Sequence, residues 1–446
     1  SKSDRTLAAQ LATEAVDLAR REFLDSKEEV SAQLNLASLN PERVDLTALE
    51  GEIEALPDSE DQVEFYLDLA KISPKPFPLL QRSLSVAQAV GSARTLSWAW
   101  GDLGLYWEKQ GDFLEALNAS HKAAQAAQEV SDWVKLANWQ WLAARAYQQL
   151  GQSDKALAAY RHATDSVRQL RQELAGSPVG PSLYLDTIDP LLRDFLGFLL
   201  SQNAPSDELL EEAIAVLRLN QLSELDNYFG DICQVSVLSN PPRPSDTLTI
   251  YTVLLPQQAY EILELSDGSY RLVQLAVSGE ALKKQVFRWR QQLVDQLHQY
   301  YLEGSSRLYQ MAISPVEEQL QQVSHLVFVQ DGILRTVPMA ALYDTQREQF
   351  LIEQYSVSYS LGLGENLVAT RPQLPLIAAS SESSPAFPNP IPGVLLEAQQ
   401  IEAVLGGGTQ LLNSSFTPQA LETQLENEDY ELLHLASHSR FTGLVE

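Results

Sequence analysis

Gly111-Asp112-Phe113-Leu114-Glu115-Ala116-Leu117 returns forty residues later as Gly151-Gln152-Ser153-Asp154-Lys155-Ala156-Leu157. At the same shift Trp107 falls on Tyr147, Gly104 on Ala144 and Ala123 on Ala163. Each copy reads as a helix with an aromatic residue near its end, a glycine turn and a second helix. The small residues Ala116, Ala123, Ala156 and Ala163 allow the paired helices to approach closely. Around this pair, from Ser1 to about Asn220, the chain is rich in Ala, Leu, Gln and Glu, all good helix formers. A repeat of this length built from helix pairs marks a solenoid, in which stacked units bury a continuous core.

Trp100, Leu103, Gly104, Trp107, Gly111, Ala116 and Ala123 give the first unit the pattern of a tetratricopeptide repeat, which it resembles. The second unit departs at its start, where Gln140, Ala143 and Ala144 stand for Trp, Leu and Gly. A spacing longer than the usual period of about 34 residues implies an elongated variant. Leu80, Leu84 and Ala87, at helical spacing, read as the second helix of an earlier, degenerate unit, and Leu209 through Leu225 as part of a later one. The concave face of such a solenoid is expected to hold a protein or peptide; the competing reading is that these helices only pad and dimerise the neighbouring domain. Trp98, Trp100, Trp133, Trp139 and Trp141 resemble a recognition cluster, yet most are expected in the core.

After Leu217–Phe229 the segment Asn240-Pro-Pro-Arg-Pro244 breaks the helical pattern. Three alternating stretches follow, Thr247–Leu255, Tyr260–Leu265 and Tyr270–Val277, with Asp267-Gly268 as a hairpin turn between the last two. They predict an antiparallel meander on the edge of a larger sheet. A helix is expected from about Gly279 to Tyr301, its stripe formed by Leu282, Val286, Trp289, Leu293 and Leu297. His325–Val329 and Leu376–Ala379 suit buried parallel strands. Gly393–Leu405 reads as a helix stopped by Gly406-Gly-Gly408, Thr417-Pro418 opens another, and Tyr430–Ala436 is a further strand. Ser380 to Pro392 reads as a mobile loop. Alternation of this kind gives a parallel sheet covered on both faces, with function at the carboxyl ends of its strands.

His438 lies just past one such end. An imidazole there can take a proton from a thiol at neutral pH, and the backbone N–H of Ser439 can face a developing oxyanion. His434, earlier in the same strand, reads as structural. Asp331-Gly-Ile-Leu-Arg-Thr-Val-Pro-Met-Ala-Ala-Leu342, Phe350–Tyr359, the junction Leu217–Phe229, Pro392-Gly393-Val394 with Glu397-Ala398, and His434–His438 together resemble the CHAT family of caspase-like peptidases, which usually follow tetratricopeptide repeats. The resemblance implies a helical tetratricopeptide-like domain over 1–220 and a caspase-like α/β domain over 221–446, its sheet mostly parallel with an antiparallel edge. It also implies a Cys–His dyad that cuts peptide bonds. His438 falls on the dyad histidine, whereas Ser439 replaces the glycine common in relatives.

The nucleophile has no counterpart. In the family it follows the next strand, and the sequence ends eight residues after His438. Cys233, the single cysteine, lies far upstream and reads as a buried small residue. Without a thiolate the attack has no carrier, so this chain is expected to be inactive by itself and its α/β domain incomplete. A continuation beyond Glu446, a truncation and a pseudo-peptidase all remain open. The continuation is preferred, and the pseudo-peptidase is least favoured because a sheet ending here exposes an unpaired edge.

Charge and composition exclude other classes. Thirty-one Lys and Arg against 59 Asp and Glu give a net charge of −28, which argues against nucleic acid and anionic membranes and steers basic partners to the surface. One cysteine excludes a disulfide framework, and six scattered histidines offer no metal-ligand spacing. Gly406-Gly-Gly408 lacks the Lys and Ser/Thr of a phosphate loop, and Asp331-Gly332 reads as a turn. No cofactor, metal or membrane is expected. The expected partner is a protein or peptide substrate or regulator in the cytoplasm, with self-association left open.

Overall fold

The computed structural model describes residues 2–22, 26–173, 183–229, 246–294, 301–321, 323–361, 375–385, 387–430 and 432–438. It divides into two compact units, 1–365 and 366–446. In the first unit the described helices before the sheet are α1 (Lys2–Glu22), α2 (Lys27–Leu39), α3 (Leu46–Ala55), α4 (Glu60–Ile72), α5 (Pro76–Val90), α6 (Ala93–Gln110), α7 (Phe113–Glu129), α8 (Trp133–Gln149), α9 (Ser153–Glu173), α10 (Asp189–Leu200) and α11 (Asp207–Phe229).

The repeat seen in the sequence is the pair α6–α7 followed by α8–α9. Gly111 takes the left-handed conformation, φ 79°, that ends α6, a geometry that costs glycine nothing. Asp112 then accepts from the Glu115 backbone N–H at 3.2 Å and caps α7, as Asp132 caps α8 through Lys135 N at 3.0 Å. α4 and α5 pack as the earlier degenerate pair. Ala116, Ala123, Ala156 and Ala163 are fully buried, so the helices meet where the small residues recur.

The strands β1 (Thr247–Leu254), β2 (Ala259–Glu264), β3 (Tyr270–Gln274), β4 (His325–Val329) and β7 (Ser356–Tyr359) form a five-stranded sheet in the order β3-β2-β1-β4-β7. A two-residue hairpin, β5 (Tyr343–Asp344) with β6 (Gln349–Phe350), lies between β4 and β7 in the chain. β1, β2 and β3 are antiparallel, whereas β4 runs parallel to both β1 and β7. The meander therefore forms the antiparallel edge of a sheet whose remaining strands are parallel. Alternation sends Tyr251, Val253, Tyr260 and Ile262 into a core shared with Leu191, Phe195, Leu199 and Leu217 of α10 and α11. Leu248, Ile250, Ala259 and Leu263 enter a second core with Leu282, Val286 and Trp289. The helix expected to reach Tyr301 is described as α12 (Gly279–Val294) and α13 (Tyr301–Ala312).

One β2 residue breaks the pattern. Glu261 is fully buried opposite Thr252, and among the described residues neither carboxylate oxygen has a hydrogen-bond partner. Burial pushes its carboxyl well above the usual carboxylate range, since desolvation penalises the charged form. Because the folded state holds this proton and the unfolded state releases it, stability falls as pH rises from the ordinary carboxylate range toward the folded value. Glu261→Leu is expected to raise stability at pH 7 by about 2 kcal/mol, the scale of an unsatisfied buried polar group. Denaturant midpoints measured at pH 4.5 and pH 7 check this, the gain being larger at pH 7.

In the second unit β8 (Pro375–Ala379) lies between β10 (Leu432–Ala436) and β9 (Thr409–Leu412), all parallel. Ile377 and Ala379 pack on Val394 and Ala398 of α14 (Gly393–Leu405), and Leu376 and Ala378 on Ala420 and Leu421 of α15 (Pro418–Asn427). Helices thus cover both faces of β8, as the α/β alternation predicts, while Leu433 and Leu435 of β10 stay exposed.

Candidate functional site

The three parallel strands of the second unit end at one edge, and hydrogen bonds stitch their ends together. Ser380 N, after β8, donates to Ala436 O of β10 at 2.8 Å. Ser381 N and Oγ donate to Asn413 Oδ1, after β9, at 2.9 and 3.1 Å. His438 follows β10 at this edge, where the sequence places it. Its ring stacks on Phe387 with centroids 5.0 Å apart and planes 2° from parallel. Among the described residues Nε2 is shielded from solvent and has no hydrogen-bond partner.

His434 sits on the same face of β10, with Nε2 3.4 Å from Glu397 Oε1 of α14 but without hydrogen-bond geometry. Ser439 and Cys233 lie outside the described residues. The loop 380–392, expected to be mobile, folds back on itself through Ser384 and Phe387, whose backbones exchange hydrogen bonds of 2.8 and 3.0 Å. Sequence reasoning missed Phe387: a single aromatic residue in a Ser- and Pro-rich stretch carries no periodic signal.

In the first unit a cavity of about 250 Å³ opens between α7, α8 and α9. Trp139, Ala143 and Ala159 are its buried lining, while His121, Lys155 and His162 stand exposed around it. No carboxylate lines it. Tyr147 Oη lies 3.4 Å from His121 Nε2, and Lys155 Nζ sits 5.6 Å from the centre of the Tyr147 ring. Although His121 is exposed overall, partial desolvation of its ring lowers it below its ordinary value, which keeps it neutral at pH 7. Of the five tryptophans expected mostly in the core, Trp139 alone is buried, and Trp98, Trp100, Trp133 and Trp141 are half-buried against the core clusters. Trp139 is in the core with its indole donating to Ser97 Oγ at 2.9 Å, and Trp141 donates to Asp194 Oδ2 at 2.7 Å.

Asp331 proves to be more than a turn residue. It is buried, receives two bonds from the Arg193 guanidinium at 2.8 and 3.3 Å, and accepts Leu254 N at 2.9 Å. Among the described residues no cluster of His, Cys, Asp and Glu could hold a metal ion, and no helix is long and apolar enough to cross a membrane.

Comparison with known families fits both halves. Residues 302–445 match the CHAT domain, and residues 93–169, helices α6 to α9, match the tetratricopeptide repeat. The chain thus carries tetratricopeptide repeats over 93–169 and, over 302–445, a CHAT domain, which is a peptidase-like domain of caspase type. The matched CHAT region contains no cysteine, and Cys233 lies outside it. Residues 302–445 by themselves therefore lack the thiol nucleophile that such a peptidase needs. Among solved structures the chain is similar to BtubC from P. vanneervenii (14% identity, 54% of this chain and 96% of that one, TM-score 0.36). It is also similar to the MamA protein (14% identity, 51% of this chain and 98% of that one, TM-score 0.25). No curated protein matches it.

Proposed function

We propose that this chain is a protein-interaction scaffold: the repeat half, 1–220, holds a segment of a partner protein, and the peptidase-like half, 221–446, does not cut it. The observation that carries this reading is the cavity between α7, α8 and α9. Its alanine and tryptophan lining suits an apolar side chain, and Lys155, His121 and His162 offer donors to the peptide around it. Tetratricopeptide units supply such clefts by stacking. A cytoplasmic location belongs to the proposal and is in keeping with a single cysteine. Peptides selected from a random display library against the full chain test it. Ala159→Leu, which fills the cavity, is expected to weaken them at least tenfold while leaving thermal unfolding within a few degrees of the parent. Equal binding by parent and variant, or no selectable peptide, would refute the reading.

A second reading is that the α/β half is the histidine-bearing part of a cysteine endopeptidase. The position and dry Nε2 of His438 favour it. His438 would act as general base and Ser439 N–H as oxyanion donor, with the thiol lying outside residues 1–446 and the repeats holding substrate or regulator. The scaffold reading expects no cleavage of a mixed peptide library by this chain. Cleavage that His438→Ala abolishes would favour the second reading.

A further inference from the structure

We propose that Phe387 is a positioning residue for His438: its ring, presented by a folded-back loop, fixes the plane of the imidazole at the carboxyl edge of the β10-β8-β9 sheet and keeps Nε2 dry. Three observations converge on it. The two rings are 5.0 Å apart and 2° from parallel, an arrangement that restricts rotation of the imidazole about its Cβ–Cγ bond. The Phe387 backbone is held from both sides, its N–H donating to Ser384 O at 3.0 Å and its carbonyl accepting Ser384 N at 2.8 Å. Ser384 Oγ adds a contact of 3.2 Å to Phe387 N. Nε2 itself is shielded and, among the described residues, unpartnered, a costly state for a polar nitrogen unless something holds it there.

The consequence is chemical. An imidazole free to rotate at a strand end turns its nitrogens to water and spends its time hydrogen-bonded to solvent. A stacked one keeps its plane fixed and one nitrogen away from solvent. Pre-orientation of this kind removes a rotational cost from proton transfer. The loop from β8 thus serves the residue after β10, and the sheet supplies the common edge on which both stand.

The idea bears on the endopeptidase reading, whose base is His438, yet its test reads the ring rather than cleavage, so either can fail alone. Diethyl pyrocarbonate, which modifies neutral imidazole, is applied to the full chain, and each of the six histidines is followed by peptide mass mapping. His438 is expected to react at least tenfold more slowly than exposed His162. Phe387→Ala and Phe387→Leu are both expected to bring it to within threefold of His162, while Phe387→Tyr keeps the protection. In NMR spectra the ring protons of His438 should show an upfield ring-current shift that Phe387→Tyr preserves and Phe387→Leu removes. The leucine variant keeps the apolar bulk but not the flat face, and so separates stacking from filling. Protection and shift retained in Phe387→Leu, or unaltered by Phe387→Ala in a chain with parental circular dichroism, would overturn the assignment.

Discussion

Gly101→Ala is expected to destabilise the repeat domain by about 3 kcal/mol, at the upper end of overpacking penalties. The opposite sign would follow from helix propensity alone, because exchanging glycine for alanine within a helix gains about 1 kcal/mol. Packing decides the matter. A Cβ on Gly101 would stand 2.1, 2.3 and 2.4 Å from three ring atoms of Trp139, far inside contact distance. The indole cannot give way easily: it is only 3% exposed, and its N–H is tied to Ser97 on α6 at 2.9 Å. Gly101 and Trp139 therefore act as socket and plug between the first helices of the two units, α6 and α8. Trp139→Leu alone loses the plug and is expected to cost a comparable amount. In Gly101→Ala/Trp139→Leu the added methyl occupies part of the vacated space, so the double variant is expected to be more stable than the sum of the singles by at least 1 kcal/mol. Chemical denaturation of all four proteins measures the coupling. Strict additivity would mean that the two residues do not act as a pair.

How far the sequence revealed this molecule depends on the length of each signal. The forty-residue self-similarity around Gly111 and Gly151 exposed α6 to α9, because helix pairs repeat small residues wherever they touch. The meander was readable from period-two alternation and the Asp267-Gly268 turn, and His438 from the strand that leads into it. β9 went unread, since Thr409-Gln-Leu-Leu412 is four residues long and mostly half-buried; it is a strand because β8 offers it a parallel partner. β7 was visible only as part of a family motif. Phe387, the cavity lining and Glu261 lay beyond reach for one reason: each is defined by what another part of the chain brings to it. The Asp331-Gly332 pair illustrates the limit well. Glycine at 332 does adopt a positive φ of 51°, so the turn was correctly read, but the partner that gives the aspartate its role is 138 residues earlier.

That partner is Arg193, and removing either member is expected to be the most damaging single change in the first unit. Asp331→Leu should cost about 4 kcal/mol, the usual range for stranding one charge of a buried pair. Arg193 would lose its bonds at 2.8 and 3.3 Å, and the Leu254 N–H at the end of β1 its acceptor at 2.9 Å. Burial works against the charge on Arg193, but Asp331 and Asp189 outweigh it and hold the guanidinium protonated above its ordinary value. It cannot escape by neutralising. Arg193 also donates to Leu254 O at 3.0 Å and to Asp189 Oδ1 at 2.7 Å, and Asp189 in turn accepts from Asn220 Nδ2 at 2.9 Å. Two carboxylates bridged by Arg193, those of Asp331 and Asp189, thus gather α10, α11, the end of β1 and the segment after β4, which makes the network the polar joint between helical repeats and sheet. Such a joint supplies register more than net stability, since a buried ion pair returns little beyond its own desolvation. The double variant Arg193→Met/Asp331→Leu is accordingly expected to recover at least half of the loss. Urea unfolding followed by tryptophan fluorescence and by far-ultraviolet circular dichroism checks the prediction. If Asp331→Leu cost less than 1 kcal/mol, or the double variant were as damaged as the single, the joint would have no such role. Coincident transitions by both probes in the parent, and separated ones in Asp331→Leu, are expected if the pair is what makes repeats and sheet unfold together.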